Sequence, residues 1–122
     1  RPNIHIEDMT DLYLKTLQWN DKDIDGKVFN AGYENHKVIE IAEMVRSILR
    51  KEVEIAITPT DDNRSYRISA DKIKRELDFT PKHTIEDAVR DMVRAFEAGR
   101  IPNSMTDIGY YNIKTMQAFN FK

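Results

Sequence analysis

Two arginines are the residues of this chain whose type and position suit the binding of an anion. Arg1 directly precedes a short apolar segment, and Arg64 closes a polar loop ahead of Ser65 and Tyr66. A guanidinium presents paired donors to a phosphate or diphosphate, and the ammonium of a lysine does not match that geometry. Most arginines of folded proteins simply lie in water, however, so surface solvation is the alternative for both.

The three histidines, His5, His36 and His83, are scattered, and none has a partner at metal-ligand spacing in the sequence. His5 lies among apolar residues, which predicts a buried, hydrogen-bonded histidine and not a ligand. Glu7 and Asp8 follow at once, where acidic residues complement the dipole of a helix start. Adjacent residues point in different directions on a helix, so an acid/base pair is not expected. The sequence therefore predicts no metal site.

The apolar patterns that must position these residues predict an α/β arrangement. Period-two alternation predicts strands at residues 3–6 and 53–57, and a further strand that ends at a glycine is predicted at residues 27–32. Helical spacing predicts four helices, over residues 7–17, 38–49, 69–77 and 85–98, with one or two further turns near 111–118. Ser69 and the pair Thr84 and Asp87 are the expected N-terminal caps, and Gly99 is an expected helix end. We expect one domain over residues 1–99 and an aromatic tail over residues 100–122 that packs on it.

Composition excludes several classes of protein. The 122 residues are 40% hydrophobic and 33% charged, which suits one folded domain. The net charge is −2, from 19 basic and 21 acidic residues that are interleaved, so neither nucleic acid nor a membrane surface is an expected partner. No apolar run approaches the roughly 20 residues that span a bilayer. The absence of cysteine excludes disulfides and thiolate zinc sites, and it fits a cytoplasmic location.

Catalytic and cofactor motifs are missing from the chain. It has no G-x-G-x-x-G fingerprint, no G-x-x-x-x-G-K-[ST] loop, no G-x-S-x-G turn and no cysteine nucleophile. Tyr111 and Lys114 lie three residues apart, short of the four-residue spacing that short-chain dehydrogenases use for proton transfer. The chain opens at Arg1-Pro2-Asn3 without a methionine, so we expect a catalytically silent fragment of a longer protein.

Five segments, in order, resemble the extended short-chain dehydrogenase/reductase family, specifically its NAD-dependent nucleotide-sugar epimerases and dehydratases. Residues 1–8 (RPNIHIED) resemble the family's R-x-x-I-H-V-x-D segment, and residues 27–32 (KVFNAG) resemble a g-x-v-y-N-v-G strand. Residues 62–73 (DNRSYRISADKI) are similar to D-x-R-x-Y-x-x-x-x-x-K-i. Residues 77–81 (LDFTP) and 84–88 (TIEDA) are similar to l-G-w-x-P and t-l-e-e-g/a. The likeness covers residues 1 to about 98.

This resemblance implies a fold and a set of substrate contacts. The fold would be the C-terminal, substrate-binding part of an extended Rossmann-type enzyme. Arg1 occupies the position of an arginine that holds the diphosphate of the sugar nucleotide. The loop before the Tyr-x-x-x-x-x-Lys stretch also meets the nucleotide, which points to Asp62, Arg64 and Tyr66. Asn30 and Gly32 would be structural, where a late strand joins the cofactor-binding sheet.

The parent enzyme implied by the resemblance would oxidise a sugar carbon with NAD or NADP and rearrange the keto sugar. Its cofactor loop and its Tyr-x-x-x-Lys pair would lie in a missing N-terminal half, so no cofactor is expected on this fragment. The expected partners are a nucleotide-diphosphate sugar and that half, and apolar surface left uncovered should favour homo-oligomers. The alternative is a stand-alone, non-catalytic binding or scaffolding module built from the same fold.

Three positions depart from the family pattern. Pro59 stands where many members have an arginine, which leaves Arg64 or Arg67 to supply that charge. Lys37 stands where many members cap the second helix with Thr or Ser, at an expected cost of about 1 kcal/mol. Asp78 replaces a common glycine, and aspartate tolerates the left-handed backbone that a glycine would adopt.

Overall fold

The computed structural model describes residues 1–49, 52–59 and 65–119. Within these ranges the chain is a mixed α/β protein that is mostly helical, with six α-helices, two short strands and one 3-10 turn. In order, the elements are β1 (Pro2–Asn3), α1 (Ile6–Thr16), α2 (Asp21–Ile24), β2 (Glu34–Asn35), α3 (Val38–Leu49), α4 (Asp71–Leu77), α5 (Ile85–Glu97), the 3-10 turn (Ile108–Tyr110) and α6 (Asn112–Ala118).

The four helices predicted from apolar spacing are confirmed as α1, α3, α4 and α5, and the predicted turns near 111–118 form α6. Helical periodicity is a strong signal because each of these segments places its apolar side chains on one face. The short helix α2 was not predicted, because Asp21–Ile24 lies inside a polar, Asp-rich segment without an apolar period. Four residues are too few to show a period.

The expected cap of α5 forms, whereas the N-cap of α4 is Ala70 and not Ser69. At the start of α5, the Thr84 hydroxyl accepts from the Asp87 amide at 3.2 Å, and the Asp87 carboxylate accepts from the Thr84 amide at 3.0 Å. This reciprocal pair is the capping box that the sequence predicted. The Ser69 hydroxyl accepts from the Asp71 amide at 3.1 Å. Gly99 follows α5 with φ 66°, and Asp78 follows α4 with φ 50°, both in the left-handed region.

The predicted strands are wrong in position and length. Neither residues 27–32 nor residues 52–59, which include the predicted strand 53–57, form regular structure, and Ile6 of the first predicted strand already belongs to α1. The described sheet is one antiparallel pair in which Pro2 lies opposite Asn35 and Asn3 opposite Glu34. Alternation reports which side chains face inward, but a ladder also requires a neighbouring strand to satisfy its amides and carbonyls.

The buried centre of the described residues is small. Leu12, Ile73 and Phe79 are the buried apolar residues, so α1, α4 and the segment after α4 meet there. Phe29 and Ala31 pack against this cluster, whereas the neighbouring Val28 is exposed. The other partly buried contacts are Met9, Trp19, Ala70 and Leu77.

The chain divides into two compact units, Arg1–Asp91 and Met92–Lys122. In the second unit, the Tyr111 hydroxyl donates to the carbonyls of Ser104 and Met105 at 3.2 Å each. The Thr115 hydroxyl donates to the Ile108 carbonyl at 2.6 Å, which joins α6 to the preceding turn. None of the described helices combines the length and apolar character that crossing a membrane requires.

Candidate functional site

The β1–β2 pairing places Arg1 beside the start of α3. The His36 amide donates to the Arg1 carbonyl at 3.1 Å, and the Arg1 backbone nitrogen donates to the His36 carbonyl at 2.5 Å. These bonds extend the pairing beyond the two strands. They fix the backbone from which the Arg1 side chain projects, immediately next to Lys37 and Val38.

The Asn35 side chain helps to position the segment that carries Tyr66. The Asn35 side chain donates to the Ile68 carbonyl at 3.1 Å and accepts from the Ile68 amide at 3.1 Å. It thereby satisfies both backbone groups of Ile68, as a neighbouring strand would. Residues 65–70 have no regular structure of their own, so this pair of bonds ties Tyr66 and Arg67 to β2.

These two segments enclose an open cavity of about 290 Å³, which we call the Arg1 pocket. Its lining includes Arg1, His36, Lys37, Ser65, Tyr66 and Arg67. Three of its lining side chains are cationic, and no aspartate or glutamate is among the described residues that line it. The Arg1 guanidinium lies 5.7 Å from the centre of the Tyr66 ring, within range of a cation–π interaction. The lining therefore suits a compact, multiply charged anion.

Two of the four predicted substrate-binding residues lie in the Arg1 pocket, and the other two are outside the described residues. The structure brings Arg1 and Tyr66 together, although they are far apart in the sequence. Asp62 and Arg64 lie outside the described residues. Lys37 and Arg67 also line the pocket; we had noted Arg67 only as a substitute charge and Lys37 only as a poor cap. Lys37 and Arg67 belong to segments that are far apart in the sequence. No local pattern in either segment indicates that the two side chains line the same pocket.

His36 stands at the rim between two carboxylates. Its Nε2 is 3.5 Å from Glu34 Oε1, and its Nδ1 is 3.5 Å from Glu40 Oε2. Glu40 also accepts a hydrogen bond from the Lys37 amide at 2.8 Å. That bond, helped by His36 and the Lys37 charge, holds the pKa of Glu40 below its usual value. Glu40 thus supplies half of a capping box at the start of α3, where Lys37 has no capping oxygen.

The tyrosine–lysine spacing that we assigned to a missing half occurs twice in this chain, at Tyr33–Lys37 and Tyr110–Lys114. Our statement that it is missing was wrong. Neither pair lies on one continuous helix, where residues four apart share a face. Tyr33 and Lys37 flank β2, and Tyr110 ends the 3-10 turn before α6. Lys114 instead lies 4.2 Å from the centre of the Tyr111 ring.

The described residues do not fit a nicotinamide dinucleotide. Gly32 is the glycine that ends the KVFNAG segment, but β2 follows it and not a helix whose amides could meet a pyrophosphate. A Cβ on Gly32 would lie 2.7 Å from Ile68 Cδ1. The glycine therefore makes room for the Ile68 side chain, in keeping with the structural role expected of it.

A second group of polar residues lies where α1 meets the segment before α5. Asp8 is 3% exposed, and its carboxylate accepts from the amides of Lys82 and His83 at 3.1 and 2.9 Å. His83 Nδ1 is 3.0 Å from Asp8 Oδ1. Burial by itself raises the pKa of Asp8, but the hydrogen bonds from His83 and Lys82 outweigh burial and lower it. The sequence had suggested only a helix-start role for this residue.

His5 is buried and hydrogen-bonded, as predicted, but at the N-cap of α1 and not in a strand. Its Nδ1 accepts from the Glu7 amide at 3.1 Å, and its Nε2 is 3.4 Å from Asp91 Oδ2. The His83 ring lies 4.8 Å away, centre to centre. Two histidines that seemed unrelated in the sequence are therefore neighbours.

Searches for similar proteins found no matching family, no matching curated protein and no matching solved structure.

Proposed function

We propose that this chain is the sugar-nucleotide-binding part of an NAD-dependent nucleotide-sugar epimerase or dehydratase, and that the Arg1 pocket takes the diphosphate. The observation that carries the proposal is the position of Arg1, Lys37 and Arg67 around one open cavity. A diphosphate offers several charged oxygens to such a set of donors, and charge-assisted hydrogen bonds are the stronger kind.

Tyr66 supports a nucleotide substrate over a free anion. Its ring is about half exposed and lies beside the Arg1 guanidinium at one wall of the pocket. An exposed aromatic face offers apolar contact to a base or a sugar ring, which inorganic phosphate cannot use. We therefore expect a nucleotide sugar to bind more tightly than inorganic pyrophosphate.

In this proposal, the catalytic residues belong to another part of the parent enzyme. NAD or NADP, when bound there, would accept and return the hydride. The residues described here would bind and orient the sugar nucleotide. Positioning of this kind contributes to rate by holding the substrate near its reacting geometry.

The test is a titration of the protein with uridine, thymidine and guanosine diphosphate sugars and with inorganic pyrophosphate, followed by calorimetry and NMR. We expect Arg1→Ala and Arg67→Ala each to weaken the binding of the best nucleotide sugar by about tenfold, because each removes charged hydrogen bonds. Lys27→Ala is the matched control, since it removes a cation that does not line this pocket.

Equal binding by Arg1→Ala, Arg67→Ala and Lys27→Ala would contradict the pocket assignment. Binding of pyrophosphate as tight as that of every nucleotide sugar would contradict the substrate class and favour a general anion-binding module. Tyr66→Leu removes the aromatic ring and keeps the cationic side chains of the pocket. The affinity for nucleotide sugars should therefore fall toward the affinity for pyrophosphate.

A further inference from the structure

His5, Glu7 and His83 form a cluster at the start of α1, separate from the Arg1 pocket. One potential ligand atom from each of the three lies within 4.8 Å of the other two. The members come from the N-cap of α1, its first turn and the segment ahead of α5. His5 and His83 also line one cavity of about 130 Å³.

Asp8 determines which nitrogen of His83 is available. The buried carboxylate accepts from His83 Nδ1 at 3.0 Å and from two backbone amides, so it holds the ring with Nδ1 protonated. Nε2 of the neutral ring then carries the lone pair. Orientation of an imidazole by a carboxylate on its other nitrogen is the arrangement common behind metal-binding histidines.

The free nitrogen faces a second potential ligand. His83 Nε2 is 3.5 Å from Glu7 Oε2, and both atoms are acceptors when the ring is neutral. Two ligand atoms of one tetrahedral zinc ion, each about 2.0–2.1 Å from the metal, are about 3.3 Å apart. The observed separation is therefore close to that of a pair sharing one ion. Glu7 is exposed, so its side chain can adjust toward His83, whose ring is held in place by Asp8.

His5 can supply a third nitrogen after a proton shift. Its Nδ1 now accepts from the Glu7 amide, which leaves the proton on Nε2, toward Asp91. Ligation through Nε2 moves that proton to Nδ1 and removes the capping hydrogen bond. The Nδ1–H and the Glu7 amide N–H would then face each other, so the His5 ring must turn away from the amide, and ligation by His5 replaces the cap of α1.

We propose that Glu7 and His83, with His5 as the third ligand, bind a divalent cation of the zinc class. Imidazole and carboxylate ligands suit Zn²⁺ and its first-row neighbours, whereas Mg²⁺ prefers an all-oxygen shell. The site depends on neither the Arg1 pocket nor any nucleotide, so it can fail or succeed independently of the proposed function.

The test is calorimetric titration of chelator-treated protein with Zn²⁺, with Mg²⁺ as the control cation and far-UV circular dichroism to confirm folding. We expect one Zn²⁺ per chain, and a loss of affinity of about tenfold or more in Glu7→Gln and His83→Gln. His36→Gln is the matched control, because His36 also has two carboxylates 3.5 Å from its nitrogens. It should bind Zn²⁺ like the original protein.

Three outcomes would overturn the proposal: no binding of Zn²⁺, unchanged binding by Glu7→Gln, or loss of binding in His36→Gln. Glu7→Gln decides the matter if His83→Gln fails to fold, since Glu7 is exposed and its backbone amide is unaltered. Co²⁺ gives a second readout, because its visible spectrum distinguishes a tetrahedral nitrogen–oxygen site from a hydrated ion. The spectrum of hydrated Co²⁺ in the presence of the protein would also contradict the proposal.

Discussion

At the scale of single residues, the main sites depend on contacts between distant positions. Asp8 and its partner His83 are separated by 75 positions, and nothing in the local pattern of either segment indicates the other. The sequence could predict that acidic residues begin α1, because that effect is local. It could not predict that one of them is buried, since burial depends on packing. The same limit applies to His5 and to the cations of the Arg1 pocket.

Asp8→Asn should lower the free energy of unfolding by about 2 kcal/mol at neutral pH, because an amide cannot accept all three hydrogen bonds from Lys82 and His83. Urea unfolding at several pH values measures the effect. Asp11→Asn, on the same helix, is the control: its exposed ion pair with Lys15 should contribute less than about 1 kcal/mol.

The pH dependence has a definite sign. The pKa of Asp8 is lowered in the folded protein, so its charged form stabilises the fold above the ordinary carboxyl range, and this stabilisation disappears as the pH falls through about 4 and below. The difference between the original protein and Asp8→Asn should therefore shrink on acidification. A difference that stays constant down to about pH 3 would show that the carboxylate charge is not what matters.

At the scale of elements, the described helices other than the four-residue α2 could be predicted, and the strands could not. A helix satisfies its backbone within one segment, so apolar period and caps are sufficient, as for α5 with Thr84 and Gly99. A strand needs a partner. Residues 27–32 place Phe29 and Ala31 against the buried centre, yet no described strand pairs with them. The observed pair, β1 with β2, was missed because two residues carry no period.

Thr84→Ala should destabilise the protein by about 1 kcal/mol, because it removes the hydroxyl that caps α5. Circular dichroism during urea unfolding measures the change. Thr10→Ala is the matched control: Thr10 is exposed within α1, where its hydroxyl bonds to the Ile6 carbonyl. Alanine favours a helix interior, so this change should be neutral or slightly stabilising. Equal destabilisation by both substitutions would refute the capping role.

At the scale of the whole molecule, a small buried centre coexists with much exposed apolar surface. Ile6, Tyr13, Leu14 and Leu17 of the α1 region are each more than half exposed, and Leu17 is 84% exposed. Helical geometry places them on one side of α1. Contiguous apolar surface of this kind favours association with another protein surface, which fits the expectation of self-association.

We expect the protein to associate in a concentration-dependent manner, and Leu17→Lys to weaken that association by removing exposed apolar surface. Sedimentation velocity over a range of concentrations measures both. Gln18→Lys is the control, since it adds the same charge at the neighbouring position without removing an apolar group. A protein that stays monomeric throughout, or that responds equally to both substitutions, would exclude α1 as the contact.

The side-chain bridge from Asn35 to Ile68 has a mechanical consequence for the Arg1 pocket. One wall projects from the backbone paired with His36, and the opposite wall is joined to β2 through the Asn35 side chain. We therefore expect a displacement of β2 to carry both walls in the same direction. We expect an aspartate at position 35 to keep one of the two bonds and to set its charge against the Ile68 carbonyl, which would weaken the link between the walls.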